Sequence, residues 1–204
     1  MKRGSGEVWV GVPALSVSPR MESRGRKVLE AVGADRKLTS EMIRKNRTRR
    51  EVRVRGRRAG MDITWVTDRI GVGGGIWNAE NMAAVARAGI THIIDMQIEF
   101  DDTPLAAPHG IVVCWNPVDD DFEPKSPEVF ARGVDFGVAA LEEDGAKLLI
   151  HCAAGVHRAP MMALALLGAM GWTLEDGMAL IEGRRPVADF AEVYVRSVEK
   201  FLRS

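Results

Sequence analysis

A short apolar run that leads into a tight, glycine-containing loop constrains the fold of this chain more than any other feature. Residues 148–150 are apolar and suit a buried strand, His151 and Cys152 follow directly, and Gly155 stands in the middle of the loop. From about Ala159 an apolar stripe recurs at helical spacing and predicts a buried helix. A strand, a loop and a helix in this order predict an α/β unit built on a parallel sheet.

The chain from residue 61 onward continues this alternation of strands and helices. Candidate strands lie at 63–72, 91–96, 111–115 and 147–150, and candidate helices begin at Asn78, Ser126, about Ala159, Thr173 and Asp189. We therefore predict an α/β domain over residues 61–204, with a central, mostly parallel sheet of four to five strands flanked by helices. The segments 99–108 and 116–125 are predicted loops. The run 111–115 predicts a buried strand, which would place Cys114 in the core. We also expect Trp77, Trp115 and Trp172 to be packing residues.

The first sixty residues differ from the rest in charge. Residues 1–60 contain 17 Lys/Arg against 6 Asp/Glu, whereas residues 61–204 contain 11 against 22, so the net charge of zero conceals two opposite regions. The segment lacks sustained periodicity, which predicts a basic, disordered extension. Two alternatives stay open: an arm that binds nucleic acid, and a start of translation at Met61.

The cysteine content and the apolar stretches favour an intracellular protein. The chain has two cysteines, Cys114 and Cys152, which is no disulfide framework and fits a reducing compartment. No apolar run follows the basic residues at the start, and the longest apolar stretch, 159–172, is too short to span a bilayer. We expect a cytoplasmic protein without membrane association. Its oligomeric state is left open.

The loop that follows the strand suits the binding of an anion and the activation of a thiol. Successive backbone N–H groups of such a loop can point inward, and the following helix adds partial positive charge. Gly155 permits the closing turn, and Arg158 can grip two phosphate oxygens. A free cysteine thiol has a pKa of about 8.5, and we expect these surroundings to favour the thiolate form of Cys152. The hypothesis requires that the sulfur be open to solvent and that the guanidinium face it.

The stretch from His151 to Arg158 resembles the His-Cys-five residues-Arg motif of the cysteine-based protein tyrosine phosphatase superfamily, in particular its dual-specificity branch. The resemblance extends over about residues 63–203, through segments 65–70, 89–95 and 184–186. It implies a phosphatase fold, a phosphocysteine intermediate, and no metal or cofactor. Cys152 would be the nucleophile and Arg158 would bind the phosphoryl group, while His151 would support the nucleophile through hydrogen bonds. The loop would contact substrate through Ala153, Ala154, Gly155, Val156 and His157 together with Arg158.

Such a reaction also needs an acid to protonate the leaving oxygen. Asp119, Asp120 and Asp121 lie on the loop after the predicted strand at 111–115. The resemblance places the acid after a short proline-containing turn, about thirty residues before the nucleophile. This favours Asp120, and Asp119 and Asp121 remain as alternatives. His157 either faces the substrate or packs against a neighbouring loop.

One position departs from the family pattern. Serine or threonine commonly follows the arginine, where its hydroxyl helps the cysteine to leave in the second step, and here the residue is Ala159. We expect slow breakdown of the phosphoenzyme.

The predicted function is a cysteine-dependent phosphomonoester hydrolase that acts on phosphotyrosine in proteins, with phosphoserine and phosphothreonine as further candidates. The alternatives are an RNA 5′-phosphatase or other non-protein phosphatase, and a phosphate-binding module with little turnover. The uncharged loop residues Ala153, Ala154 and Val156 disfavour polyphosphorylated inositols. Phosphorylated proteins are the expected partners, and nucleic acid could bind the segment 1–60.

Overall fold

The structure, a computed structural model, describes residues 61–204 as a five-stranded sheet flanked by helices. The strands are β1 (Ile63–Trp65), β2 (Ile70–Gly73), β3 (His92–Gln97), β4 (Val112–Val118) and β5 (Leu148–His151). The helices are α1 (Ala79–Arg87), α2 (Thr103–Ala106), α3 (Pro127–Glu142), α4 (Arg158–Ala169), α5 (Leu174–Arg184) and α6 (Glu192–Arg203), with a 3-10 turn at Ala107–His109. The predicted basic extension, its alternative of a start at Met61 and its nucleic-acid role lie outside the described residues.

The strand order places the loop of residues 152–157, which we call the catalytic loop after its predicted role, next to the central strand of the sheet. The order is β1-β2-β5-β3-β4, in which β1 is antiparallel to β2 and the other neighbouring pairs are parallel. The prediction of a mostly parallel sheet is therefore confirmed. His151, the last residue of β5, lies between Gly73 on β2 and Asp95 on β3. The chain consequently leaves the sheet at Cys152 on its carboxyl edge, where ligand sites of such sheets form.

Helix α4 anchors the loop from the other end. Every residue of α4 is buried, so the predicted core role of its apolar stripe is confirmed. Glycines let the neighbouring helices approach closely, since a Cβ at Gly168 would lie 2.4 Å from Leu202 on α6 and one at Gly133 on α3 would lie 2.6 Å from Met162. Close packing on two sides fixes the helix whose first turn faces the loop.

Most helix starts agree with the sequence, and the last one does not. The side chains of Asn78 and Thr173 accept hydrogen bonds from the first turns of α1 and α5, at 2.9 and 3.1 Å. Helix α6 begins at Glu192 rather than near Asp189. The backbone N–H of Asp189 instead donates to the carbonyl of Val156 at 2.9 Å, so this residue braces the catalytic loop.

The prediction that 111–115 is a buried strand was wrong. Strand β4 lies at the edge of the sheet, where Val112 is 51% exposed and Trp115 is 42% exposed, and Cys114 is only partly buried. The expected packing role is confirmed for Trp172, which is partly buried against the core, whereas Trp77 and Trp115 lie at the surface and are 52% and 42% exposed. An apolar run specifies a strand but leaves open whether a second strand covers its outer side.

The predicted limits of two loops also differ from those in the structure. The predicted loop at 99–108 contains the short helix α2, and β4 extends to Val118, so the acidic loop begins at Asp119. None of the helices in the described part of the chain is long and apolar enough to cross a membrane.

Candidate active site

The loop between β5 and α4 adopts the predicted strand, loop and helix arrangement. Cys152 follows β5 directly, and α4 begins at Arg158. The backbone N–H of Gly155 donates to the Cys152 sulfur at 3.2 Å. Gly155 has a φ of 65°, and a Cβ there would lie 2.5 Å from the carbonyl oxygen of Gly73. Only glycine fits this position, because both the backbone angle and the available space exclude a side chain.

The carbonyl groups of residues 153–156 all accept hydrogen bonds from groups outside the loop. Those of Ala153 and Val156 accept from the backbone N–H groups of Gly75 and Asp189, each at 2.9 Å. The carbonyls of Ala154 and Gly155 accept from the Arg185 side chain, at 3.3 and 2.7 Å.

A trans peptide group directs its N–H opposite to its C=O. The N–H groups of residues 154–157 are therefore turned toward the inside of the loop, where they form a concave set of donors. Such a set is an anion-binding nest, and the N-terminus of α4 adds partial positive charge.

Arg185 holds this loop from behind, a role that sequence reasoning did not assign. Its guanidinium is nearly fully buried and also binds the carboxylate of Asp62, at 3.0 and 2.6 Å, and the hydroxyl of Thr64 at 3.1 Å. A planar fork of five donors suits this combination of carbonyl and carboxylate acceptors. The resemblance had included Arg185, but nothing in its neighbours along the chain indicated these partners.

Arg158 lies at the front of the loop with one edge occupied. Its two terminal nitrogens bind the Glu99 carboxylate, each at 2.9 Å, and Nη1 also donates to the carbonyl of Val118 at 3.1 Å. The buried Nε has no hydrogen-bond partner and lies 3.7 Å from Asp120 Oδ2. An edge of the guanidinium is thus available for a further acceptor, which two phosphate oxygens would satisfy.

The ion pair with Glu99 secures the charge of both partners. Burial opposes the positive charge of Arg158, but the hydrogen bonds to Glu99 and the nearby Cys152 outweigh it, so the pKa of Arg158 is raised. The same hydrogen bonds lower the pKa of Glu99. Sequence reasoning missed Glu99, because it stands in a predicted loop close to Asp101 and Asp102, and only the fold brings it to Arg158.

The structure separates the three candidate acids. Asp120 faces the loop, where its carboxylate accepts from the Tyr194 hydroxyl at 3.0 Å and lies 3.1 Å from His157 Nδ1. Asp121 pairs with Lys125, which lowers the pKa of this carboxyl. Asp119 accepts from the backbone N–H of Asp120 and is exposed.

His157 and Tyr194 form a clasp around Asp120. The His157 ring lies between Asp120 and Asp189, with Nε2 3.3 Å from the latter, so it packs against neighbouring loops. The Tyr194 side chain is buried, and burial raises the pKa of its phenol to about 12, so it is a hydrogen-bond donor at neutral pH. Tyr194 is the one tyrosine of the chain, and sequence reasoning gave it no role.

A buried polar cluster lies behind the nucleophile. His151 Nε2 lies 2.8 Å from Asp102 and 3.6 Å from Asp95, and all three side chains are fully buried. The His151–Asp102 contact has the distance of an ion pair, but its geometry falls short of a hydrogen bond. Burial raises the pKa of Asp95 to about 6. The donor atoms lie within 4.8 Å of one another, and we interpret the cluster as an internal carboxylate–imidazole pairing that supports the loop.

The nucleophile itself is covered in this arrangement. Cys152 is 1% exposed, and the carboxylates of Glu99 and Asp120 both contact Arg158 at the front of the loop. The expected exposure of the sulfur is therefore not observed. The loop itself takes part in this burial, since the backbone N–H of Gly155 lies 3.2 Å from the sulfur.

The comparisons with known proteins agree with this geometry. The family model described as dual specificity phosphatase, catalytic domain, matches residues 76–203. The chain is similar to dual specificity protein phosphatase 5 of Rattus norvegicus, with 34% identity over 74 residues, 36% of this chain and 19% of that protein. It is also similar to protein phosphatase Slingshot homolog 3 of Rattus norvegicus, with 26% identity over 130 residues, 63% of this chain and 19% of that protein. The matched part therefore spans about a fifth of either relative.

Solved structures share the fold. Tk-PTP in its active form superposes with a TM-score of 0.60 at 20% identity, covering 70% of this chain and 96% of that one. Human DUSP28 gives a TM-score of 0.60 at 20% identity, with coverages of 72% and 97%. PTPMT1 in complex with PI(5)P gives 0.61 at 16% identity, with coverages of 68% and 92%.

Proposed function

Since the chain belongs to the dual specificity phosphatase catalytic-domain family, we propose that it is a cysteine-dependent protein phosphatase, with phosphotyrosine as its main substrate and phosphoserine and phosphothreonine as further ones. One observation carries the proposal: the loop carbonyls of residues 153–156 are all bonded outward, which turns the amides inward around Cys152. Three equatorial phosphoryl oxygens carry the charge of the transition state, and a ring of donors stabilises that charge.

In the first step the substrate phosphate binds the loop amides and the free edge of Arg158. The thiolate of Cys152 attacks phosphorus, so that a sulfur–phosphorus bond forms while the phosphorus–oxygen ester bond breaks. Asp120 gives its proton to the leaving oxygen, which would otherwise depart as a costly anion. The contacts of Asp120 with Tyr194 and His157 place its carboxylate at the front of the loop for this transfer.

In the second step a water molecule attacks the phosphocysteine. Asp120 takes a proton from this water, the sulfur–phosphorus bond breaks, and inorganic phosphate leaves. Ala159 is buried at the second position of α4 and offers no hydroxyl to the departing sulfur of Cys152. We therefore expect this step to limit the rate, and a rapid-mixing assay with an aryl phosphate to show an initial burst of phenol. A linear trace from the start would contradict slow breakdown of the intermediate.

We also expect the loop 119–123 to move outward when substrate arrives, because the Asp120 carboxylate lies 3.7 Å from the Arg158 Nε that would bind the phosphate. The loop contacts the rest of the domain through few hydrogen bonds to side chains, such as those of the Tyr194 hydroxyl with Asp120 and with the backbone N–H of Phe122. Water can replace these hydrogen bonds when the loop moves outward. An opening of this kind is common where a catalytic acid sits on a loop. Cys152 should consequently be alkylated faster by iodoacetamide in Asp120→Ala than in the native protein.

The direct test of the proposal is hydrolysis of an aryl phosphate by the full chain in the presence of EDTA. Activity should disappear in Cys152→Ser and persist in Cys114→Ser, which removes the other, partly buried thiol. Equal activity in Cys152→Ser and the native protein would exclude the cysteine mechanism. Phosphate binding without any turnover, even of a burst, would show a binding module instead.

A cytoplasmic location is part of the proposal. It is supported by the absence of a cysteine framework in the sequence, whose two thiols are both free in the structure.

A further inference from the structure

Exposed apolar side chains are concentrated around the catalytic loop. In the described part of the chain, the large hydrophobic residues that remain exposed are Trp77, Ile98, Phe100, Val112, Trp115, Phe122 and Val187. Val112 and Trp115 lie on the edge strand β4. We call the other members, Trp77, Ile98, Phe100, Phe122 and Val187, the apolar rim, because each belongs to a segment that contacts the catalytic loop.

Two members of the rim stand at opposite sides of the loop. Trp77 packs over Gly75, whose backbone N–H donates to the carbonyl of Ala153 at 2.9 Å. The ring of Phe122 lies 5.0 Å from the ring of His157, which is the residue that precedes Arg158. One aromatic ring is therefore linked to the beginning of the anion-binding loop through Gly75, and the other contacts its end at His157.

The remaining residues of the apolar rim lie on two other segments. Ile98 and Phe100 flank Glu99, whose carboxylate binds Arg158. Val187 lies between Arg185, which holds the carbonyl of Gly155, and the segment that binds Val156. Large apolar side chains that are 37% to 57% exposed thus lie on four segments that contact the loop or Arg158. Clustered exposure of this kind marks an interaction surface.

The charged residues of the same segments are acidic. Asp119, Asp121 and Glu123 are exposed around Phe122, and Asp189 is exposed beyond Val187. The described residues as a whole carry 11 Lys/Arg against 22 Asp/Glu. This field repels an anionic lipid surface and attracts basic groups.

We infer that the site selects phosphorylated protein segments whose phosphoresidue is flanked by apolar and basic residues, and that Trp77 and Phe100 determine this selectivity. The inference rests on the proposed function. The loop amides and Arg158 bind the phosphate, the rim covers apolar side chains on either side of it, and the acidic loops attract the basic ones. The deletion of a rim side chain removes contact with the flanks and leaves the phosphate site unchanged.

The test compares the full chain on three phosphotyrosine peptides of equal length, with apolar and basic, neutral polar, or acidic flanks, and on an aryl phosphate. We expect kcat/KM for the apolar and basic peptide to exceed that for the acidic peptide by about tenfold or more, since several contacts add to the charge effect. Vesicles that contain a phosphatidylinositol phosphate are a fourth substrate. Faster hydrolysis of the vesicles than of every peptide, or preference for acidic flanks, would overturn the inference.

Variants assign the selectivity to the rim. Trp77→Ser and Phe100→Ser should each lower kcat/KM for the apolar and basic peptide about fivefold, as expected for loss of one partly exposed apolar contact. Both should hydrolyse the aryl phosphate within about twofold of the native rate, because no flank is present. The matched control is Val112→Ser, which alters a similarly exposed apolar residue on β4. This variant should leave kcat/KM unchanged for both the apolar and basic peptide and the aryl phosphate. An equal loss on all peptides, or the same loss in the control, would contradict the role of the rim. An inactive native chain on the aryl phosphate would instead refute the proposed function itself.

Discussion

The catalytic loop is held in two different ways at its back and at its front. At the back, carbonyls of the loop accept from Arg185 and from two backbone N–H groups, and Gly155 fits with no room for a side chain. At the front, Arg158 and Asp120 are held mainly by the side chains of Glu99, Tyr194 and His157, and the carbonyl of Val118 is the one backbone group that also binds Arg158 there.

The difference separates a rigid part of the site from an adjustable one. Backbone hydrogen bonds to a buried guanidinium tolerate little displacement, because a lost partner leaves a buried polar group unpaired. At the partly exposed front, Arg158 can exchange a carboxylate partner for a phosphate with a small loss of free energy. The back therefore preserves the shape of the nest while the front opens and closes on the substrate.

The largest effect should come from breaking the back. Gly155→Ala is expected to lower kcat at least about 1,000-fold, since it displaces several phosphate donors together. A Cβ there would lie 2.3 Å from Arg185 Nη2 and 2.5 Å from the Gly73 carbonyl. The matched control is Gly110→Ala, at the same φ of 65° but with nothing within 4 Å. Steady-state kinetics and urea unfolding should show only a stability loss of about 1 kcal/mol in the control. Equal behaviour of the two variants would mean that backbone angle, rather than close approach, matters at Gly155.

Removal of the proposed acid from the front should have the next largest effect. Asp120→Asn is expected to lower kcat for phenyl phosphate about 100-fold, because its poor leaving group needs a proton. Its effect on stability should be small, since Asp120 is held by side chains at the surface. Asp119→Asn and Asp121→Asn are the matched controls and should keep kcat within about threefold. A larger loss in either control would assign the acid to that residue.

The buried cluster behind the loop should respond to pH through stability. The pKa of Asp95 is raised from 3.8 to about 6 in the folded state, so the folded protein holds a proton that the unfolded chain releases. The contribution of Asp95 to the free energy of unfolding therefore falls by at most about 3 kcal/mol as the pH rises from about 4 to 6. It stays at this lower value above pH 6. In urea unfolding, the stability of Asp95→Asn relative to the native protein should therefore increase as the pH rises across this window. The control Asp144→Asn, at an exposed position, should show no such change. A difference that is independent of pH would show that Asp95 keeps an ordinary pKa.

The smallest effect should come from loosening the clasp at the front. Tyr194→Phe removes the hydrogen bond to Asp120 and is expected to lower kcat about fivefold. If Tyr194 acts by positioning Asp120, the double variant Tyr194→Phe with Asp120→Asn should be no slower than Asp120→Asn alone. An additive loss in a double-mutant cycle of phenyl phosphate kinetics would give Tyr194 an independent role.

The rigid back was only partly predictable from the sequence. The apolar residues 148–150, the nucleophile position and Gly155 are contiguous, so their local order already implies a strand, a loop and a helix. The partners of that loop are not contiguous: Asp62 lies 123 residues before Arg185, and only the sheet brings them together. The edge position of β4 was missed for the same reason, because an apolar run does not record its neighbours.

The adjustable front was less predictable still. Proximity along the chain and the family resemblance left three aspartates as candidates, and the structure places only Asp120 against Tyr194 and His157. Glu99, which pairs with Arg158, stands in a segment that looks like an ordinary loop in the sequence.

The sequence by itself determined the local unit that binds an anion: an apolar strand, a loop with glycine at its turn, and a buried helix, together with the sulfur and the guanidinium that belong to it. Those features belong to one contiguous stretch of the chain, from residue 148 to residue 169. Tertiary structure alone decided which distant side chains hold the loop, close its front and surround it with apolar residues. Such contacts form between residues that are far apart in the chain, and they arise only when burial of the apolar strands and helices fixes the sheet order.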